Sequence, residues 1–413
     1  MLAVVLVVHV AGRLATVGAG DKVDSLTYSL AAHRFWQPDA TIDDLVPDKP
    51  PGQALLTGWC FRVMPGPASR LTVVPIESTF LLAAYAVFYL LGRRLFGPRQ
   101  AGMLTVLFAL MQNTYAAIDY TTDGFNLNEN YLALPMLLAV LAHTSDVEPL
   151  RRGILRGLGL GVALSIKQTA VGLLAVLIAH DVYRWWTGCE RRLPQVWAAT
   201  AVGLIGGLAP VLIVLAWRGW LAAHAADVVH LSAPRIGGRG MGLPELAKIW
   251  PLVPAAWWIA VALLLRSDGS RRAPGPRESH SSATGDATSV GMLAGMWLVA
   301  ETVIVWSMKI PAAHYYQQLA APACLLAGVG VGATIEAIRG LGPKARWAAW
   351  RWVAATAAVL TFAAALPLAS LASVRGRRIE PALEVRLFEE ALRTNLLGEV
   401  CQQIRGGGNA AGR

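Results

Sequence analysis

The sequence predicts an all-α polytopic membrane protein, and three observations lead to this prediction. Hydrophobic residues make up 55% of the 413 residues, and charged residues make up only 15%. The mean hydropathy is +0.48, which is too high for a soluble protein of this size. The apolar residues also form long runs, and a helix needs about 20 such residues to cross the hydrocarbon core. We therefore expect a multi-pass protein of the cell membrane.

Nine apolar runs each predict one transmembrane helix. They lie near 1–18, 71–92, 101–118, 128–143, 195–217, 250–266, 289–308, 318–338 and 347–372. The first run has no basic start and no clear cleavage site, so we interpret it as a retained span and not as a signal peptide. A further apolar segment, 155–186, is interrupted by Lys167-Gln168. It is either one overlong helix or two short helices that meet at this pair.

Positive charges between the runs predict the orientation. The formal net charge is +10, and the arginines fall in short clusters that indicate topology and not nucleic-acid binding. With a cytoplasmic N-terminus, the clusters at 93–94 and 151–152 lie inside, as the positive-inside bias requires. The clusters at 266–288 and 339–346 lie inside only if the interrupted segment crosses twice. We therefore favour a hairpin whose polar turn is buried in protein, because bare backbone cannot face lipid.

This topology divides the chain into a transmembrane bundle, 1–372, and a short outer C-terminal tail, 373–413. The Ser/Gly/Pro/Arg-rich linker 266–288 is expected to be disordered on the cytoplasmic side. The tail predicts an amphipathic helix from Pro381 to Gln403, followed by a Gly-rich end. The four cysteines share no metal-ligand spacing, so we interpret them as structural.

The longest predicted outer loop, 19–70, contains a regularly spaced polar pattern. Asp24, Tyr28 and Ala32 are four residues apart, which predicts a helix across 22–35. On such a helix the aspartate and the tyrosine lie on one face.

A second helix is predicted after Pro50-Pro51, with Lys49 just before its start, where backbone N–H groups also point. An aspartate at this membrane surface can remove a proton from an incoming hydroxyl group, while the lysine and the helix terminus neutralise a phosphate leaving group. The alternative is structural: Asp24 caps its helix and Lys49 extends towards lipid headgroups.

These residues match the motifs of a known family in order and spacing. The motifs are Asp24-x-x-x-Tyr28-x-x-x-Ala32, Asp48-Lys49-Pro50-Pro51, Asn128-Glu129, Lys167-Gln168 and His314-Tyr315-Tyr316. Over roughly 1–340 the chain resembles the GT-C glycosyltransferases, and more narrowly the protein mannosyltransferase and lipid A aminoarabinose transferase group.

The resemblance implies a GT-C-like transmembrane helix bundle with a helical first outer loop. It also implies an inverting enzyme that passes a sugar from a polyprenyl-phosphate donor to a lipid, protein or glycan acceptor on the outer, periplasmic or exterior, side. By this resemblance Asp24 is the catalytic base and Lys49 is a phosphate ligand. The implied substrate-binding residues are Tyr28, Asn128, Glu129, Lys167, His314 and Tyr315. The resemblance implies no cofactor and no nucleic-acid partner.

The chain departs from the family pattern at two positions. Ser25 follows Asp24 where the family often has Asp-Glu, and Gly52 follows the Pro-Pro pair where leucine is common. The first departure weakens the case for a metal site, and none is predicted. Asp21, three residues before Asp24, could share its role.

Four further residues allow two interpretations each. Arg235 and Arg239 lie among glycines in the outer loop 218–249, where they could clamp a phosphate or form a solvated basic loop. Glu301 lies in an apolar span and faces either the active-site cavity or a structural partner. His314 binds a sugar or phosphate, or belongs to an interfacial aromatic belt.

A transporter or flippase of a lipid-linked or anionic substrate is the alternative function. Transporters place charged residues at broken helices near the bilayer midplane, and Lys167 with Glu301 fits that description. Against it, the sequence shows no internal repeat, and the polar residues gather at one face. A polymerase or ligase of surface polysaccharide would share the predicted fold and differ only in its acceptor.

Overall fold

The computed structural model describes residues 2–17, 23–118, 126–232, 250–259, 281–308, 313–375 and 381–410, and these form a bundle of helices. The labelled helices are α1 (Leu2–Val17), α2 (Val23–Phe35), α3 (Gly52–Val63), α4 (Val74–Phe96), α5 (Pro98–Ile118), α6 (Asn128–His143), α7 (Pro149–Ile166), α8 (Val171–Trp186), α9 (Leu193–Trp217), α10 (Leu221–Ser232), α11 (Ser281–Ser307), α12 (Gln317–Arg339), α13 (Pro343–Arg375), α14 (Pro381–Arg393) and α15 (Leu396–Ala410). Residues 253–259 are helical as well. The predicted all-α fold class is confirmed.

Every predicted apolar run coincides with a helix, at least over the residues that the structure describes. Among the described residues, four segments are long and apolar enough to cross a membrane by length and composition: Arg70–Phe96, Leu193–Trp217, Ser289–Ser307 and Gln317–Arg339. On α9, Val202, Ile205 and Ile213 are each more than 60% exposed. An apolar surface of this kind is expected where a helix faces lipid.

The segment 155–186 forms the predicted hairpin. Helix α7 ends at Ile166, Lys167 has extended backbone angles (φ −153°, ψ 128°), and α8 follows a short 3-10 turn. Two ion pairs then join the arms: Arg156 Nη1 lies 2.6 Å from Asp181 Oδ2, and Arg152 bonds Glu190. Because both pairs link residues on opposite sides of the turn, α7 and α8 run antiparallel.

Small residues let α7 and α9 approach closely. A Cβ atom on Gly157 would overlap the backbone oxygen of Thr200, and one on Gly161 would overlap that of Leu204. Gly203 and Gly207 of α9 make the reciprocal contacts with α7. Such glycine-mediated backbone contact is a common way for helices to associate in membranes.

Both helices predicted in the first outer loop are present. Helix α2, Val23–Phe35, coincides with the expected 22–35 segment over the described residues, and α3 begins at Gly52, directly after Pro50-Pro51. The proline pair suits this position. The N–H groups in the first turn of a helix make no hydrogen bond within the helix, so proline, which has no N–H group, loses none there. Over its described residues, 218–232, the loop 218–249 contains a helix, α10, that the pattern did not predict.

The tail differs from its prediction in one respect: the amphipathic segment is two helices, α14 and α15, and not one. They are separated at Asn395, whose φ of +53° is a left-handed conformation that asparagine tolerates better than most residues. Phe388 and Leu397 of these helices pack against Leu30 and Ala31 of α2. The tail therefore packs against α2, which lies in the loop that the sequence predicts to be outer.

The predicted linker also differs over part of its length. Helix α11 begins at Ser281, so residues 281–288 are helical where disorder was expected. Residues 266–280 lie outside the described part of the chain.

Candidate active site

The structure brings three of the predicted site residues to one small cavity. Tyr28 on α2, Lys49 before α3 and Asn128 at the start of α6 all line it. Its remaining lining residues are Ala31, Leu45, Val46, Pro50, Pro51, Gln53 and Ala54. The cavity therefore lies where α2 and the segment after it meet the starts of two helices, α3 and α6.

Three predicted residues are only partly described or not described. Asp24 lies in the first turn of α2, one helical turn before Tyr28, and its side chain is outside the described part of the structure. His314 lies in the 3-10 turn Ala313–Tyr316, and its side chain is likewise not described. Arg235 falls within 233–249, outside the described residues. Their roles stay predictions.

Lys49 is held at the cavity beside a buried acid. Its Nζ atom lies 3.3 Å from Oδ2 of Asp48, and both side chains are largely buried. The backbone oxygen of Asp48 accepts a hydrogen bond from Gln168 Nε2 at 3.1 Å, which ties this loop to the turn of the α7–α8 hairpin. The loop that carries Lys49 is thus fixed to the bundle.

The departure at Gly52 has a packing explanation. A Cβ atom there would overlap the backbone carbonyl of Ser165, close to the end of α7. The start of α3 therefore lies directly against the hairpin, and a leucine at this position would not fit without displacing one of the two helices.

A second group of predicted residues lies at the hairpin turn. Lys167 forms a buried ion pair with Glu129, and its Nζ atom lies 4.2 Å from the ring centroid of Tyr315. A cation at this distance from an aromatic face is attracted by the ring quadrupole. The structure therefore brings together the motifs around 128, 167 and 315, as the sequence predicted.

Glu301 joins this group through Gln318. With the Gln318 amide oriented so that both of its polar atoms are satisfied, its oxygen accepts from Lys167 Nζ at 3.1 Å and its nitrogen donates to Glu301 Oε2 at 2.9 Å. Trp297 Nε1 donates to the other oxygen of Glu301 at 3.2 Å. Glu301 is thus paired with a tryptophan N–H, the structural interpretation left open above, and is also connected to Lys167.

One polar network, which adjoins the cavity through Gln53, was not predicted. Glu77 on α4 accepts hydrogen bonds from Arg13 Nη1 at 2.7 Å and from the backbone N–H of Asn126 at 2.7 Å. Asn126 has a φ of +52°, and its side-chain amide donates to Ser29 Oγ of α2 at 2.8 Å. Gln53 Nε2 of α3 donates to Asn126 Oδ1 at 2.9 Å.

This network joins four helices, α1, α2, α3 and α4, to the residues just before α6. The acidic Glu77 within an apolar run was the one signal in the sequence, since a buried acid needs a partner. Its partner Arg13 is 64 positions away, and no pattern in the sequence links the two. Within the described ranges, no group of three His, Cys, Asp or Glu side chains could hold a metal ion.

Comparison with known proteins shows similarity at the level of fold. No protein-family model matches the sequence, and no curated protein matches it. The crystal structure of ArnT from Cupriavidus metallidurans bound to undecaprenyl phosphate is similar, with a TM-score of 0.59 and 17% identity. That match covers 100% of this chain and 78% of ArnT.

Two further crystal structures are similar over most of this chain. Apo ArnT from the same organism has a TM-score of 0.53 and 18% identity, covering 94% of this chain and 75% of that one. The apo oligosaccharyltransferase of Archaeoglobus fulgidus has a TM-score of 0.50 and 14% identity, covering 91% of this chain and 56% of that one. Both neighbours are GT-C glycosyltransferases. The fold of this chain is therefore that of the GT-C membrane glycosyltransferases.

Proposed function

We propose that this protein is an inverting glycosyltransferase that moves a sugar from a polyprenyl-phosphate donor to an acceptor at the outer face of the membrane. The observation that carries the proposal is the cavity lined by Tyr28, Lys49 and Asn128 at the start of α3. A lysine beside the N-terminus of a helix favours an anion such as phosphate. ArnT, which has this fold, was crystallised with undecaprenyl phosphate, and that supports the class of donor.

In the proposed reaction, an acceptor hydroxyl attacks the anomeric carbon from the side opposite the phosphate. The new C–O bond forms while the bond from that carbon to the phosphate oxygen breaks, which inverts the configuration. Asp24 takes the hydroxyl proton, and Lys49 with the N-terminus of α3 stabilises the charge on the departing lipid phosphate. The bundle contributes mainly by holding the two substrates in line.

In this proposal Lys167, Glu129 and Tyr315 form the wall of the site at the hairpin turn. The pairing of Lys167 with Glu129 fixes the start of α6, and therefore Asn128, relative to the hairpin turn. We propose that Arg235 and His314 also bind the donor. The sugar and the identity of the acceptor follow from the assay below.

The transporter alternative is favoured by one feature, the position of Lys167 at a break between two helices with Glu129 and Glu301 close by. A transporter would move its substrate across the membrane with no new glycosidic bond. The two functions are therefore separated by whether a glycosylated product forms.

The test uses the full chain in proteoliposomes, supplied with radiolabelled polyprenyl-phosphate sugars and crude envelope acceptors. We expect wild-type protein to form product, Asp24→Asn to lower the rate by about 10²–10⁴-fold, and Lys49→Ala to lower it by about 10²–10³-fold. Asp146→Asn and Lys344→Ala are the controls, because both residues are exposed on other parts of the chain. These controls should keep the wild-type rate.

Two results would contradict the proposal. One is transfer at the wild-type rate by both Asp24→Asn and Lys49→Ala, which would remove Asp24 and Lys49 from the site. The other is transport of the lipid-linked sugar by wild-type protein with no glycosidic product, which would favour the transporter. The anomeric configuration of the product, read by NMR, tests inversion separately.

A further inference from the structure

A strongly basic surface lies at the turn between α12 and α13. We call the surface formed by residues 339–352 the basic turn. Its positively charged residues are all exposed: Arg339, Lys344, Arg346 and Arg351. The sequence has no acidic residue between Glu336 and Glu380. Among the residues that the structure describes, none of the four basic side chains forms an ion pair. The basic turn therefore carries a positive charge that no described acid neutralises.

Exposed tryptophans accompany these charges. Trp347, Trp350 and Trp352 are 64%, 39% and 76% exposed, respectively. Tryptophan is enriched where a membrane protein passes from the hydrocarbon core to the headgroups, because its ring is apolar and its N–H group is polar. Three such side chains within two turns of one helix indicate that the basic turn contacts the headgroup layer.

The length of α13 leads to the same position. The helix has 33 residues, so it is about 50 Å long, whereas the hydrocarbon core is about 30 Å thick. The uncharged run 353–372 is by itself long enough to cross the core. Residues 343–352 at the start of α13 then lie beyond the core, on the side that the arginine clusters predict to be cytoplasmic.

Two arginines of the basic turn are held in defined positions. Arg346 Nη2 donates to the backbone oxygens of Arg339 at 2.8 Å and Leu341 at 3.0 Å, which fixes the connection between the two helices. The guanidinium carbon of Arg351 lies 4.6 Å from the ring centroid of Trp347. A guanidinium stacked on a ring keeps the N–H groups at its edge available for a phosphate.

We propose that the basic turn binds the headgroups of anionic phospholipids. Each lysine or arginine near a negatively charged membrane surface adds to the attraction, and the tryptophans hold the charges at the depth of the phosphate groups. A zwitterionic headgroup has its own cationic group, so it should bind more weakly. Lipid bound here would fix the depth of α13, which packs through Ala365 against Ala15 of α1 and Leu110 of α5.

This inference goes beyond the proposed transferase function and does not depend on it. The bound phospholipid is not a substrate of the transfer reaction, and none of the residues that line the cavity belongs to the basic turn. Sugar transfer and phospholipid binding can therefore fail separately.

The test measures which lipid lies against the basic turn, with no sugar donor present. Full-length protein is placed in phosphatidylcholine nanodiscs with a small fraction of a photo-crosslinkable lipid. This lipid carries a diazirine at one position of its acyl chain and either a phosphatidylglycerol or a phosphatidylcholine headgroup. After illumination and digestion with a protease that does not cut at lysine or arginine, mass spectrometry measures the labelling of peptides that cover 339–352.

Two double variants remove the same amount of charge from different places. Arg339→Gln with Arg351→Gln removes two charges from the basic turn. Arg191→Gln with Arg192→Gln is the matched control, because both arginines are exposed just before α9, a helix that packs against α7.

In wild-type protein we expect phosphatidylglycerol to label the basic turn at least about tenfold more than phosphatidylcholine. Arg339→Gln with Arg351→Gln should lower the phosphatidylglycerol labelling by about tenfold and leave the phosphatidylcholine labelling unchanged. The control should leave both unchanged. Equal labelling of wild-type protein by the two lipids would overturn the inference. An equal loss of phosphatidylglycerol labelling in both double variants would overturn it as well, because net charge and not the basic turn would then attract the lipid.

Discussion

At the scale of single residues, the most informative group is Lys167 with its two acidic neighbours. Glu129 pairs with it directly, and Glu301 is connected to it through Gln318. Charges buried in a membrane protein are unfavourable unless they are paired, so each partner here stabilises the others. Lys167 also directly follows the last residue of α7. A change in its ion pair is therefore expected to affect the hairpin turn as well.

This dependence gives a prediction about stability. Lys167→Met should lower the stability of the bundle by about 3–5 kcal/mol, because it removes the buried cation that pairs with the carboxylate of Glu129. The double variant Lys167→Met with Glu129→Gln should recover much of that loss, since both charges of the pair are then removed. The measurement is thermal unfolding of the purified protein in one detergent.

The control for this prediction is the ion pair between Arg94 and Asp146, in which the aspartate is 97% exposed. Arg94→Met should change the stability by about 1 kcal/mol or less, as is usual for surface pairs. A double variant at 129 and 167 that is no more stable than Lys167→Met alone would contradict the pairing.

At the scale of helices, the contact between α7 and α9 holds the first helix of the hairpin against the bundle. Gly157→Ala should destabilise the protein by about 1–3 kcal/mol, because the added Cβ overlaps the backbone of α9 and forces the helices apart. Gly332→Ala on α12 is the matched control, since its Cβ would meet no atom within 4 Å. Alanine has the higher helix propensity by about 1 kcal/mol, so this control should be neutral or stabilising in the same unfolding assay. Equal effects at the two positions would mean that α7 and α9 are not in close contact.

The helices were largely predictable from the sequence, and the reason is physical. Span length is set by the bilayer, and arginine clusters predict the side that each loop occupies, so 155–186 could be predicted as a hairpin. The start of α3 could be located from Pro50-Pro51. These signals are all local, and each acts within one helix or one loop.

The contacts between distant segments could not be predicted in this way. Arg70, just before α4, donates a hydrogen bond to Glu384 of α14 at 2.7 Å, although the two residues are 314 positions apart, and nothing in either segment indicates the other. Asn126 was missed because its role depends on a backbone conformation and on partners from three other segments. The predicted cavity residues were found through the order of their motifs, whereas the packing of the tail against α2 needed the three-dimensional arrangement.

At the scale of the whole molecule, the tail packs on the side of the bundle on which the cavity lies. His33 of α2 is a part of this contact, with its ring centroid 5.3 Å from that of Phe61 and 5.7 Å from that of Phe388. It therefore lies between the loop helix α3 and the tail helix α14. Burial, followed by the nearby charge of Arg34, lowers the pKa of His33 below its ordinary value of 6.5.

This lowered pKa predicts that attachment of the tail depends on pH. The docked state favours neutral His33, so the stabilisation is complete above pH 6.5, the ordinary value, and is lost as the pH falls through the lower folded pKa. The protection factors of amides in α14 and α15, which correct for the slower intrinsic exchange of amides in acid, should be high at neutral pH and lower near about pH 5. His33→Phe keeps an aromatic ring and removes the titrating group, so the protection of its tail should be high at both pH values. If acid lowers the protection of the tail in this variant as much as in wild-type protein, another group controls the docking, and His33 is then only a packing residue between α3 and α14.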